Sequence, residues 1–172
     1  MKVLITGGSG FIGGHLRSKL KALEMQNYDL LEGNDIKDAQ KLTNSAKGFD
    51  AIVHLAALIR VAECELKPKE TLETNFIGTL NVLEAARKNG IKNVVFASSA
   101  AIYGEQAIVP THENVTLKPT SIYAISKIAA EQAIDYYRQK YGLNITSFRI
   151  FNVFGQGQDS KSPYAAAIPI FI

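Results

Sequence analysis

Cysteine is almost missing from these 172 residues: Cys64 stands alone, which excludes an internal disulfide and any cysteine-rich metal site. No apolar run approaches the roughly 20 residues that a membrane-spanning helix needs. The N-terminal Met-Lys-Val-Leu-Ile-Thr enters a strand-like stretch directly and does not read as a secretory signal. Three scattered histidines, His15, His54 and His112, make no metal constellation. A net charge of +3, spread along the chain, is too weak to argue for a nucleic-acid surface. Internal repeats and low-complexity tracts are absent. What is present is a 47% hydrophobic chain of one-domain length, able to bury roughly two-thirds of its unfolded surface. Disorder is excluded on this balance, and a soluble cytoplasmic domain is expected.

Short apolar strands alternate with amphipathic helices, a pattern that predicts an α/β fold with a parallel sheet covered on both faces. The expected strands are Val3 to Thr6, Tyr28 to Glu32, Ala51 to Leu55, Val94 to Ala97 and Ile145 to Phe151. Helices are expected from Phe11 to Leu23 and from Asp38 to Ala46. A long one should open at Pro68 and close at Gly90. A last one should be capped by Ser121 and ended at Tyr141 by Gly142. Tyr103 to Pro119 has two prolines and no periodicity, and reads as a loop over the active face.

Gly7-Gly8-Ser9-Gly10-Phe11-Ile12-Gly13 lies between the first strand and the first helix, the context in which a glycine turn binds a dinucleotide. Gly7 permits the tight turn, Gly10 lets backbone approach a pyrophosphate, and Gly13 lets helix and strand pack closely. The helix N-terminus then faces the phosphate charge. An acid at the end of the second strand usually holds the ribose, and Glu32, 19 residues past Gly13, is the candidate. Such an acid favours NAD over NADP by repelling the extra phosphate. Tyr123 and Lys127 stand one helical turn apart, so they share a face. An ammonium there favours the phenolate, and the pair can take a proton from a hydroxyl while hydride leaves to a nicotinamide. Ser99 ends a strand, where an open parallel sheet places its ligands, and can donate to the same oxygen.

With these residues in this order, the sequence resembles the extended short-chain dehydrogenase/reductase family, and within it the NAD-dependent sugar-nucleotide epimerases and dehydratases. The landmarks also include Asp35-Ile36, His54-Leu55-Ala56-Ala57, Asn75 in Thr-Asn-Phe-Ile-Gly-Thr, Ser98 to Gly104, and Arg149-Ile150-Phe151-Asn152-Val153-Phe154-Gly155. The resemblance implies a Rossmann-like doubly wound sheet and NAD as cofactor. It implies cofactor contacts at Gly7, Gly10, Phe11, Ile12, Gly13, Glu32, Asp35, Ile36, Leu55, Ala56, Ala57, Asn75, Tyr123, Lys127 and Phe151. Tyr123 becomes the base, Lys127 the partner of the nicotinamide ribose, Ser99 the holder of the sugar oxygen, and Asn152 a contact to the nucleotide-sugar. Dehydratases of this group carry Asp-Glu after the catalytic hydroxyl residue, whereas Ala100-Ala101 stands here, which disfavours elimination. The implied flavour is a UDP-glucose 4-epimerase type, interconverting a UDP-sugar at C4 through a 4-keto sugar. A nucleotide-sugar 4-ketoreductase or dehydrogenase is the alternative within enzymes, and an idle NAD-binding module the alternative outside them. By analogy, the helix from Pro68 to Asn89 implies a homodimer.

Two departures from the pattern carry expectations of their own. About a dozen residues separate the first helix from Asp35-Ile36, so one strand of the sheet should be missing or merged. The division expected is a cofactor domain over 1–154 and the start of a truncated substrate region over 155–172. On that reading the chain is a fragment of a longer enzyme and a poor catalyst by itself. His54 is expected to be structural, Cys64 to sit in a loop, and Tyr136, Tyr137 and Tyr141 to pack along a helix face.

Overall fold

A computed structural model describes residues 1–106 and 109–158. The strands are β1 (Lys2–Thr6), β2 (Glu24–Tyr28), β3 (Ala51–His54), β4 (Asn93–Ser99) and β5 (Asn144–Ile150). They form one sheet in the order β2-β1-β3-β4-β5, with every pairing parallel. The helices are α1 (Phe11–Lys19), α2 (Ala39–Ser45), α3 (Val61–Leu66), α4 (Pro68–Leu72), α5 (Gly78–Lys88) and α6 (Ile122–Tyr141). A π-turn, Glu73–Ile77, joins α4 to α5, so the long helix expected from Pro68 runs through an irregular middle.

Alternation within the strands sorts the core into two layers. Leu4, Ile52, Val94, Phe96 and Ile145 point to one face, where they pack with Leu42 of α2, Val82 and Leu83 of α5, and Ala130 and Ile134 of α6. Val3, Ile5 and Ala51 point to the other, against Leu16 of α1. The helix ends obey local chemistry. The Asp38 carboxylate accepts the Lys41 N–H, and the Ser121 hydroxyl accepts the Ala124 N–H. Gly142, at φ +64°, closes α6 in the left-handed region.

The second strand corrects the sequence reading. It covers Glu24–Tyr28, not Tyr28 to Glu32, and Glu32 falls in a 3-10 turn, Leu30–Glu32. Leu30 and Leu31, which look like strand residues, are 70% and 85% exposed. The true strand is polar because it lies at the sheet edge and buries only its Asn27-Tyr28 end. The first helix stops at Lys19, four residues early, since Leu20 and Leu23 turn the chain into this strand. Between β2 and α2 there is a turn and no strand, which is the shortening expected. Cys64 lies on α3, fully buried, and not in a loop. Tyr137 is buried on α6, while Tyr136 and Tyr141 stay largely exposed beside it. Among the described residues no helix is long and apolar enough to cross a membrane. Residues 159–172, most of the stretch expected to begin a substrate region, lie outside those described.

His54, at the end of β3, is a satisfied core histidine. Thr79 donates its only hydroxyl proton to the Asn75 carbonyl, so its oxygen accepts from Nε2–H of His54, leaving Nδ1 to accept from Thr6. Burial, aided by the charge of Lys127, lowers the His54 pKa from 6.5 to about 3. Below pH 6.5 the unfolded chain takes up a proton that the folded chain refuses until about pH 3, so stability falls as pH falls through that window. Urea unfolding at pH 7 and pH 4 should show the wild-type chain losing about 3 kcal/mol more than His54→Gln between the two. Equal losses would exclude His54 as an acid-sensitive point of the fold.

Candidate active site

Because all strands run parallel, their C-terminal ends meet at one edge, and the candidate residues collect there. β1 delivers the glycine turn. Gly7 has φ +74°, and a Cβ on it would lie 2.6 Å from the Ala56 nitrogen, so the turn rests on the backbone of the Leu55-Ala56-Ala57 loop after β3. A Cβ on Gly13 would lie 2.6 Å from the Gly8 Cα, which fixes how closely α1 meets the turn. Gly10 behaves differently: its Cβ would meet only the Gly7 carbonyl at 3.3 Å, so the outer side of the turn is open. No side chain caps α1 and no acid occupies its first turn, so the free amides at Phe11 and Ile12 suit an anion. The cradle therefore fits the pyrophosphate of a dinucleotide.

β2 delivers an acid that the sequence reading passed over. Asp29 follows the last residue of the strand, accepts the Ser9 N–H at 2.9 Å and caps the following turn through the Leu31 N–H. Glu32 reaches the same place indirectly, accepting a hydrogen bond from Asn27, whose amide also donates to the Ser9 hydroxyl. Reading Glu24–Tyr28 as the strand would have exposed Asp29 as its terminal acid. Asp35 accepts the Lys37 N–H, while the Ile36 side chain is buried in the core, so Ile36 can meet a ligand only through its backbone.

β4 and α6 bring together Ser99, Tyr123 and Lys127. Ser99 ends its strand and accepts the Ala101 N–H at 3.2 Å. Tyr123 lies in the first turn of α6, which is held by Ser121 and by the Glu65 carboxylate accepting the Ile122 N–H at 2.7 Å. Lys127 is 3% exposed; its ammonium donates to the Ala97 carbonyl at 2.9 Å and stands 4.9 Å from the Phe96 ring and 5.8 Å from the Tyr123 ring. Burial lowers Lys127 to about 8. Burial also raises Tyr123, opposed by the smaller effect of its hydrogen bond with Ser99. Burial is the larger influence on the phenol, and the ammonium directs its bond to the Ala97 carbonyl.

Asn75, expected among the cofactor contacts, is 1% exposed with a fully engaged side chain. It accepts the Leu58 N–H and donates to the Leu58 carbonyl and to the Ser126 hydroxyl. It therefore holds the loop after β3 against the helix of Tyr123. At the end of β5, Phe151 is 68% exposed, 6.3 Å from the Tyr103 ring, and Asn152 is exposed beside it. Arg149 pairs with Glu131 at 2.9 Å and donates to the Glu113 carbonyl, fastening the long loop to the sheet.

A parallel sheet with a phosphate-ready glycine turn and a Ser, Tyr and Lys cluster at one edge defines a Rossmann-type dinucleotide-binding domain. The model of the NAD dependent epimerase/dehydratase family matches residues 3–172. The chain belongs to that family. A UDP-glucose 4-epimerase from Corynebacterium glutamicum is 36% identical over 172 residues, covering 90% of this chain and 52% of its own length. The solved UDP-N-acetylglucosamine 4-epimerase from Methanobrevibacter ruminantium, in complex with UDP-N-acetylmuramic acid, superposes with TM-score 0.93 at 35% identity, over 99% of this chain and 61% of that one. The UDP-glucose 4-epimerase from Thermus thermophilus, in complex with NAD, gives 0.87 at 36% identity, over 93% and 58%. The chain spans between half and two thirds of the length of these relatives.

The buried ammonium makes a stability prediction. Between about pH 8 and pH 10.5 the unfolded chain holds a proton on Lys127 that the folded chain has released, so stability rises with pH across that window. At pH 7 the charged form is a burden on the fold. Lys127→Met should therefore raise the unfolding free energy measured in urea at pH 7, by up to about 3 kcal/mol, and the gain should vanish by pH 10.5. A variant less stable than wild type at pH 7 would show that the Ala97 hydrogen bond outweighs desolvation.

Proposed function

We propose that this chain binds NAD and supplies the proton-transfer groups of a nucleotide-sugar 4-epimerase acting on UDP-sugars. The observation that carries the reading is the packing of Ser99, Tyr123 and Lys127 at the strand edge that also bears the open glycine turn. The relatives named above support it. When bound, the nicotinamide accepts a hydride from the sugar carbon and returns it.

The chain's residues then divide the work. The amides of the turn from Gly7 to Gly13 take the pyrophosphate charge. Asp29, as the acid ending β2, takes the ribose hydroxyls in place of Glu32. Asp35 and the Ile36 backbone line the adenine, and Leu55, Ala56 and Ala57 flank the cofactor under the turn. Lys127 holds the nicotinamide ribose, and Phe151 borders the nicotinamide. Ser99 donates to the reacting sugar oxygen, Tyr123 takes the hydroxyl proton and gives it back, and Asn152 contacts the nucleotide-sugar. Ala100 and Ala101 put no acid or base beside C5 and C6, so the keto sugar is reduced again and not dehydrated.

Denaturing the purified chain and identifying released nucleotide by mass spectrometry should give about one NAD per chain. No nucleotide, together with no NAD binding on titration, would overturn the reading. Tyr123→Phe should keep NAD within about threefold of wild-type affinity and slow interconversion of UDP-glucose and UDP-galactose by about 100-fold or more. Net release of NADH during turnover would assign the site to a dehydrogenase instead.

A further inference from the structure

Beyond β5 the chain returns to α1, and the strand order constrains its path. β5 stands three places from β1, and α1 follows β1. Three strand spacings are about 14 Å, and residues 151–155 in extended form reach about 17 Å, so the segment has little slack as it passes the C-terminal ends of β4 and β3. That edge is where an open parallel sheet keeps its ligand crevice. Phe151 and Asn152, proposed above to face the ligand, ride on this segment. Their side chains, like those of Val153 and Phe154, are exposed, so their places depend on how the backbone is held.

The far end of the segment is held by α1. His15, on the second turn of that helix, donates Nε2–H to the Gln156 carbonyl at 2.8 Å, the direction being set by a carbonyl that can only accept. Gly155 lies against the Phe11 ring, where a Cβ would stand 3.3 Å from Cζ. Phe11 and His15 meet edge to face with centroids 4.8 Å apart, one helical turn from each other, and so present one surface. The Gln158 N–H donates to the Gly155 carbonyl at 3.3 Å and Gly157 takes φ +83°, which folds the chain into a turn at this point. α1 is also the helix whose uncapped N-terminal amides suit an anion.

We propose that His15 is a positioning residue: its bond to Gln156 draws residues 151–156 along the crevice as a strap, and the strap slows departure of the bound dinucleotide. The inference rests on the NAD reading above and adds to it a residue that acts through backbone. Release of the strap breaks one hydrogen bond on an exposed segment, so its effect falls on cofactor dissociation and leaves the stability of the fold intact.

Displacement of NADH by excess NAD, followed by stopped-flow NADH fluorescence on the full chain, tests this without any turnover. His15→Phe keeps a ring against Phe11 and removes the donor. It should raise the dissociation rate about fivefold, leave association equal or faster, and leave the urea midpoint unchanged. His15→Gln, which offers a side-chain amide to the same carbonyl, should recover most of the wild-type rate. A dissociation rate unchanged in His15→Phe, with NADH still bound, overturns the strap. Slower association with unchanged dissociation overturns it too, and leaves His15 a support for the glycine turn. A wild-type chain that binds no NADH overturns the NAD reading itself.

Discussion

The side chain of Asn75 is the joint on which the crevice depends. It is buried in the π-turn between α4 and α5. Its oxygen and both amide protons are used, on the two backbone groups of Leu58 and on Ser126, and its own carbonyl accepts from Thr79. Through Thr79 it reaches His54 at the end of β3, and through Ser126 it reaches the helix turn that carries Tyr123. The loop after β3 is thereby fixed from both sides. That loop in turn forms the floor on which Gly7 rests, so the position of the phosphate cradle relative to the proposed base is set by one buried amide. Satisfying all of its hydrogen-bonding groups is what makes such a buried polar residue tolerable.

Regular helices with strong punctuation were legible in the sequence, and edge structure was not. Ser121 and Gly142 bracket α6 as expected, because side-chain capping and a left-handed glycine act locally and need no tertiary context. The central strands β1, β3 and β4 were legible because their middles are apolar and largely buried. β2 failed for the opposite reason. An edge strand covered on one end carries Glu, Gln and Asn, while Leu30 and Leu31 next to it are apolar yet exposed. Hydrophobic pattern therefore shifted the strand by four residues and named Glu32 as the terminal acid, hiding Asp29. The glycine turn and the Ser99, Tyr123 and Lys127 cluster were legible through spacing and resemblance. The Asn75 joint was not, since its hydrogen bonds span 17 and 51 residues of sequence.

Lys127 shows what the site costs the fold. A charged ammonium enclosed by Phe96, Tyr123 and the Ala97 carbonyl is unfavourable enough to lower its pKa to about 8, and an apolar side chain of the same length would pack there without that penalty. The same burial raises Tyr123, away from neutrality, while it brings Lys127 toward it. Both shifts come from desolvation, and both are reduced by any ligand that brings hydroxyl groups within reach of the two side chains. A ribose hydroxyl on Lys127 and a sugar hydroxyl on Tyr123 would do so, which couples ligand binding to the ionisation that the proposed chemistry needs.

The shortened connection after β2 has a comparable logic. With a turn and no strand between β2 and α2, β2 stands at the edge of the sheet. The chain compensates with a 3-10 turn whose N-terminus is capped by Asp29 and whose end is closed by Gly33 at φ +75°. That turn folds back on the glycine loop, so that Asp29 meets the Ser9 amide and Glu32 meets Asn27. The Ser9 amide accommodates one carboxylate, and Asn27 must accommodate the other, leaving its own oxygen pressed without a partner against Gly8. A Cβ on Gly8 would lie 2.2 Å from that oxygen, so a side chain there would displace the Asn27 amide.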